Sequence, residues 1–560
     1  MQPEYRNLNR MFPKNKSGRG ELENVSLESI AAILPPRDIC DEFVSSYVSY
    51  FEHVHRILHV PTFLGQCNYF WDGPSATNQP FRSNFIPQLA VVITIGSQLQ
   101  EPGISTPYPP SAALTMDSLI DAYMRSLSSK QRMQLASLQT ACLLIVSKRL
   151  LLVPPDELWI YTGDLLRTAL NSGLHKDPEE IDRGFLPLQA ELRRRLWYTA
   201  MELDIEASML CCMPSLVQVT SYSCRCPSAN DDELSSALED EWNGVEAHAA
   251  KSIALQTKLA QSLPVRLRAL RVLTRSHPDP KEIHVVLAQL ADHDKSLASN
   301  MDSDQQLDPI RVYSSYLLRV CIQRPIVSLY LLCLQCPGFM NVPDVNDSFV
   351  NCLFSCLEIM SLSENLDPDV SSFDFFRNDT CWRLFNVLEV DDVLRAMYCA
   401  CLCSAVLKNQ TSTNGDPTII ELAVPGTIRT AVRRGLEGSL KSFAKRFPDL
   451  RPVLKQLMGL AIINQLTKHT TSEARKQELM QTALQNFIQL CRERFAADAS
   501  RIVSTDTTNS DVFSIGPAPE FDLCTADNFG FDSTLFDWNP NFFFDTNLHG
   551  TPSGIQLEFP

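Results

Sequence analysis

Residues Thr162–Pro214 read TGDLLRTALNSGLHKDPEEIDRGFLPLQAELRRRLWYTAMELDIEASMLCCMP, and this stretch decides the fold. It encodes two helices. The first is expected to start after Pro154-Pro155, with Asp156 as its N-cap, and to end at Gly173, a residue free to take the left-handed conformation. The second is expected from Ala190 to Cys211. Leu192, Leu196, Ala200, Leu203, Ala207 and Leu210 recur at helical spacing and form one stripe that must face a core. Arg193, Trp197, Asp204 and Ser208 form a polar and aromatic seam beside it. Glu191 and Arg195 stand four apart, acid first, as an ion pair prefers. These features specify an interior helix of an all-α protein.

Outward from this stretch the same periodicity continues. Helices are predicted over Asn84–Leu99, Ser137–Leu152, Arg311–Cys336, Phe349–Ser361, Val393–Val406 and Ser472–Phe495. Turn-forming breaks fall at Glu101–Ser111, Pro227–Glu246, His277–Lys281 and Asn409–Pro417. None is polar over enough length to separate domains, and no repeat of solenoid period stands out. No apolar run reads as a membrane span and the N-terminus lacks a signal-peptide core, so no membrane partner is expected. The division is a weakly basic disordered leader (1–38), a helical array (39–500) and a tail (501–560).

Several motifs resemble the middle homology region of the fungal-specific transcription factors that carry a six-cysteine zinc cluster. The run from Glu191 through Arg193, Arg194, Arg195 and Trp197, followed by Asp204, Ser208 and Pro214, carries most of the resemblance, with Gly163 and Gly173 in the preceding helix. Tyr50-Phe51 followed by His59, Pro61 and Phe63 resembles the opening of that region. Ser137–Thr140 resembles its early helix, Cys226-Pro227 the loop after the signature, and Arg324-Pro325 a later helix. The resemblance implies a large regulatory array in which these positions are structural. It also implies a nuclear regulator of metabolic or secondary-metabolite genes, with the array restraining or relaying activation and a small-molecule effector in a helix-lined cavity. Cys212-Met213 departs from the Gly-Arg usual before the proline, which puts the helix-end geometry at issue.

The family's DNA-binding module needs six cysteines among basic residues near the start, whereas here Cys40 is first and Cys67 next. No cofactor is therefore expected in this chain, since the family's zinc belongs to that module. DNA would be reached through a partner or through sequence preceding Met1. A net charge of −16 also opposes extensive phosphate contact. Arg6, Arg10, Lys14, Lys16 and Arg19 read as a solvated leader, or alternatively as a nuclear-import patch. The adjacent arginines 193–195 point three ways on a wheel among acids. They read as salt-bridge partners, with Arg193 stacked on Trp197, and not as a nucleic-acid surface.

Among the 18 cysteines most sit in apolar helical runs and read as small core residues. The close pairs Cys333/Cys336 and Cys352/Cys356 lack the knuckle residues of zinc sites, and His55/His59 lack a third ligand. No metal site is expected. GxSxG, Walker and GxGxxG motifs are absent, so no catalytic residues are assigned and an enzyme is the minority reading.

The tail is acidic and aromatic. From Ile502 to Pro560 there are nine Asp or Glu and no Lys or Arg. Phe529, Phe531, Phe536, Trp538, Phe542, Phe543 and Phe544 are the candidate activation residues, since carboxylate repulsion would keep these rings available to a coactivator groove. A tail docked on the helical body is the alternative. The partners expected are transcriptional coactivators and a related transcription factor or a second copy. A DNA-binding-deficient cofactor of such a factor is the runner-up function.

Overall fold

The computed structural model describes residues 25–72, 79–99, 108, 110–181, 184–218, 221–227, 255–301, 309–335, 345–370, 380–412, 425–445, 453–468, 475 and 477–489. Among them every regular element is helical. The helices are α1 (Leu27–Ala31), α2 (Arg37–Tyr47), α3 (His53–His55), α4 (Val60–Asp72), α5 (Gln79–Ser97), α6 (Pro110–Ser126), α7 (Ser129–Arg132) and α8 (Leu135–Leu150). Next come α9 (Pro155–Asn171), α10 (Pro178–Ile181), α11 (Pro187–Cys211), α12 (Leu255–Leu273), α13 (Pro280–Met301) and α14 (Pro309–Gln335). Last are α15 (Val345–Leu366), α16 (Thr380–Leu388), α17 (Val390–Ser412), α18 (Gly426–Lys445) and α19 (Leu454–Lys468). A π-helical turn at Val48–Glu52 links α2 to α3.

Neighbours in sequence are mostly neighbours in space. α2 packs on α5, α5 on α8, α9 on α11, α11 on α12, α12 on α14, α14 on α15, and α15 on α17. One apolar cluster runs from Ile30 to Ile488. The helical body thus begins earlier than the boundary drawn at residue 39. Ile30 of α1 is fully buried, because α1 lies on α5 and α6. The leader's five basic residues and the whole tail 501–560 lie outside the described residues.

The long periodic runs do become helices, usually longer than their apolar cores suggested, as with Val345–Leu366 against 349–361. Caps explain some of the shifts. In α9 the N-cap is Pro154 with Pro155 at the first position, so Asp156 sits in the first turn and is not the cap. A proline at N1 gives up an N–H that has no helical partner anyway. At the other end Gly173 takes φ +77, and Leu174 N–H reaches Ala169 C=O. That is the glycine-closed end the sequence implied.

α14 requires a second correction. Its stretch Val312–Leu334 is long and apolar enough to cross a membrane, although most of it is buried inside the protein. Arg324 in its middle is 1% exposed and surrounded by carboxylates. It is a core helix that interior packing has made apolar on every side.

Candidate functional site

The signature helix α11 begins at Pro187, three residues before its expected start, and is buried on all faces from Arg195 to Leu210. Leu192 of the apolar stripe is only half-buried; the rest of the stripe is interior. A helix enclosed this way must neutralise its own charges, and Glu202, Asp204 and Glu206 each have a partner on another segment.

Asp204 accepts from Thr162 Oγ1 of α9 at 3.1 Å and from Ser215 Oγ beyond the helix at 2.6 Å. Burial raises its carboxyl above the usual range, and those two hydroxyls pull it back down. Glu202 takes a two-pronged contact from Arg266 of α12, at 2.5 and 2.7 Å. Gln256, also on α12, donates to the carbonyls of His55 and Arg195 and to Thr199 Oγ1. Arg395 of α17 donates to the carbonyls of Met209 and Leu210. A cation at the last carbonyls of α11 opposes the negative end of the helix dipole.

Glu206 joins the largest cluster. It accepts from Arg149 of α8 at 2.5 Å and from Arg324 of α14 at 2.9 Å. The same Arg324 contacts Glu389 at 2.8 Å and holds Asp392 through Nε and Nη2 at 2.7–2.9 Å. Two guanidinia therefore face three carboxylates. Burial pushes the Glu389 carboxyl up to about 8, against the pull of Arg324 and Arg149. Four helices and the residue that opens α17 meet in this cluster.

The three adjacent arginines separate as their wheel positions implied. Arg193 donates to Ser172 C=O, Arg194 to Asp177, and Arg195 to Glu191 at 3.0 Å. Arg193 does not stack on Trp197. Its guanidinium lies 5.1 Å from the Phe185 ring, because Phe185 precedes α11 and folds back along it. Trp197, 1% exposed, instead packs against the rings of His175 and Tyr222. No nucleic-acid surface is formed by these arginines.

Asp177, just beyond the Gly173 helix end, is a hub. It accepts two bonds from Arg194, two from the Arg225 guanidinium, and the backbone N–H groups of Arg225 and Glu179. Arg194 above all, then Arg225, holds its carboxyl well below the usual carboxylate range. A depressed folded value adds stability above the unfolded value of about 3.9 and loses it as pH falls. Asp177→Asn should cost about 3 kcal/mol, the scale for orphaning a buried partner. The difference in melting temperature from wild type should stay constant at neutral pH and narrow below about pH 5, checked by thermal denaturation across that range.

The remaining signature positions are structural in different ways. Phe63 is buried against Phe85, while Pro61 is exposed in the first turn of α4. His59 Nδ1 lies 2.7 Å from Thr62 Oγ1. Helix α3 stops at His55, where Arg56 turns left-handed at φ 49, so His55 and His59 do not share a helical face. Burial lowers His55 to about 4, leaving it neutral. Ser208 is fully buried and its carbonyl accepts from Met213 N–H; Pro214 C=O accepts from Trp159 Nε1. Cys212 takes φ 53, the left-handed conformation the family's glycine would supply, at a cost of about 1 kcal/mol. The helix-end geometry survives the departure, under strain. Near α11 a cavity of about 10 Å³ lies between His55, Thr199, Glu202 and Gln256, which is room for one water and not for an organic effector.

Sequence reading did not single out Asp177, Arg149, Glu206, Arg266, Glu389 or Asp392, which the structure places in these clusters. A signal existed for some of them. Glu206 lies in LDIEASML, and a charge set inside an apolar run is a buried ion awaiting its partner, as with Arg324 in VCIQRPIVSLYLLCL.

An all-helical regulatory array built around an enclosed signature helix is what these residues define. The profile of the fungal specific transcription factor domain matches residues 44–364, more than half of the chain, and this protein belongs to that family. It is similar to Transcription factor lepE of Aspergillus flavus, 29% identical over 325 residues, covering 56% of this chain and 37% of the relative. Transcription factor opdR of Penicillium oxalicum is 26% identical over 362 residues, covering 61% of this chain and 44% of the relative. The Fusarisetin A cluster transcription factor fsa6 of a Fusarium species is 27% identical over 220 residues, covering 38% and 29%. In each case the match spans less than half of the relative's length.

Proposed function

We propose that this protein is a nuclear transcription regulator of a secondary-metabolite gene set, with residues 25–489 as its regulatory body and the tail as its activation segment. The observation that carries the reading is the family's regulatory domain over residues 44–364. Two relatives named for the fusarisetin A and equisetin clusters support the choice of gene set. The enclosed signature helix supports a body that acts as one rigid unit, because its ions tie α8, α11, α14 and α17 together. Such a body would present surfaces to coactivators or to a related transcription factor. DNA would be reached through that partner or through further sequence.

The test fuses residues 501–560, and separately the full chain, to a heterologous DNA-binding domain upstream of a reporter. Activation by the tail is expected. Replacing Phe529, Phe531, Phe536, Trp538 and Phe542–Phe544 by Ala should return it to background, as the acidic–aromatic composition requires. A weaker signal from the full chain would show that the body restrains the tail. A silent tail in both settings would overturn the activation role and favour the partner-binding cofactor.

A further inference from the structure

Four cysteines on two packed helices, α15 and α17, come together in the core. Cys352 and Cys356 lie one turn apart on α15, and Cys399 and Cys403 one turn apart on α17, which packs directly on α15. All four are at most 2% exposed. Cys352 Sγ is 3.4 Å from Cys399 Sγ and 3.7 Å from Cys403 Sγ, and the three sulfurs are mutually within 4.8 Å. Cys356, one turn from Cys352, contacts Cys352 and Cys399 but stands outside the three sulfurs that lie mutually within 4.8 Å. Cys352 thus meets α17.

We propose that Cys352, Cys356, Cys399 and Cys403 form a structural zinc site that clamps α15 to α17. The spacing carries this furthest. With Zn–S bonds of about 2.3 Å, the sulfurs of a tetrahedral site stand about 3.8 Å apart, close to the 3.4 and 3.7 Å that Cys352 keeps to Cys399 and Cys403; Cys356 would close in as the fourth ligand by a side-chain rotation. Residues four apart share one helical face, so two such pairs on packed helices supply four inward ligands, as metal sites in helical bundles do. Soft thiolates in a water-free setting select a soft or borderline cation over magnesium or calcium.

Zinc displaces the thiol protons to solvent as each sulfur binds, with no change of oxidation state. The site is unrelated to the family's six-cysteine cluster and does not depend on the transcriptional reading.

The purified full chain, passed over a chelating resin, should carry about one zinc per chain by elemental analysis. The double variant Cys399→Ser/Cys403→Ser should lose it. Cys401→Ser, altering the buried cysteine between them on α17, should keep it. If the double variant does not fold, cobalt added to metal-free wild type decides the question. Intense visible bands and sulfur-to-cobalt charge transfer, abolished by one equivalent of zinc, are expected of tetrahedral thiolates. A wild-type chain that takes up neither metal, a cobalt spectrum without sulfur charge transfer, or zinc retained by a folded double variant would each overturn the site.

Discussion

Arg324→Leu is expected to cost this protein 3–5 kcal/mol or about that, enough to abolish soluble expression of a marginally stable chain. The side chain is 1% exposed and contacts Glu206, Glu389 and Asp392 together. Removing it leaves three buried carboxyls with Arg149 as the guanidinium in contact and Arg395 acting on Asp392. Lysine should not rescue, because a single ammonium cannot reproduce the two nitrogens that reach both oxygens of Asp392 and two further carboxyls. The loss should also depend on pH. Orphaned carboxylates take up protons in the folded variant, so its pKa values rise above unfolded ones. A raised carboxyl favours the folded state at low pH and loses that advantage as pH climbs. The gap from wild type should therefore narrow between pH 8 and pH 5, measured by thermal denaturation. The double variant Arg324→Leu/Asp392→Leu should recover part of the loss, since apolar residues replace both partners. A folded Arg324→Leu chain within about 1 kcal/mol of wild type would show that the cluster contributes little.

Gly96→Ala is the other large effect, about 3 kcal/mol and caused by a single methyl group. A Cβ on residue 96 would sit 2.1 Å from the Phe43 carbonyl oxygen and 2.7 Å from its carbon. Those are backbone atoms of α2, which cannot swing away as a side chain can. The helices would have to separate, opening the layer where Phe43, Ala90 and Ile93 are buried. Gly163→Ala provides the contrast. Its Cβ would meet side-chain ends alone, the Arg167 guanidinium at 3.3 Å and Leu216 Cδ1 at 3.9 Å, which can shift. That variant should lie within about 1 kcal/mol of wild type, on the stabilising side, since alanine is the better helix former. Comparing the apparent melting temperatures of the two variants checks both statements. Equal losses would mean that the α2–α5 contact is looser than it stands here.

The two glycines show where sequence reading succeeds and fails. Gly163 belongs to a recognisable motif and was assigned a structural role, yet nothing crowds it. Gly96 sits in an unremarkable apolar run, and what makes it indispensable is a backbone 53 positions earlier in the chain, at Phe43. Gly173 was legible because its requirement is local: the helix ends there in the left-handed conformation. The arginines at 193–195 were legible as ion-pair formers, but the ring beside Arg193 was not. Helical spacing nominated Trp197, and a turn preceding α11 delivered Phe185 instead. Asp177 looked like a loop acid because the guanidinium of Arg225, which makes it a hub, arrives from a segment 48 residues away.

By itself the sequence determined the all-α class, the order of the long helices, the glycine-closed end of α9 and the family to which the chain belongs. Each of these depends on contacts within a few turns, where 3.6-residue periodicity and capping chemistry act directly. Only the tertiary structure decided which charges neutralise one another and which glycine admits no side chain. It also decided that Cys352 meets Cys399 and Cys403 across two helices. Those outcomes depend on how helices far apart in sequence are brought into register, and local propensity carries no information about that distance.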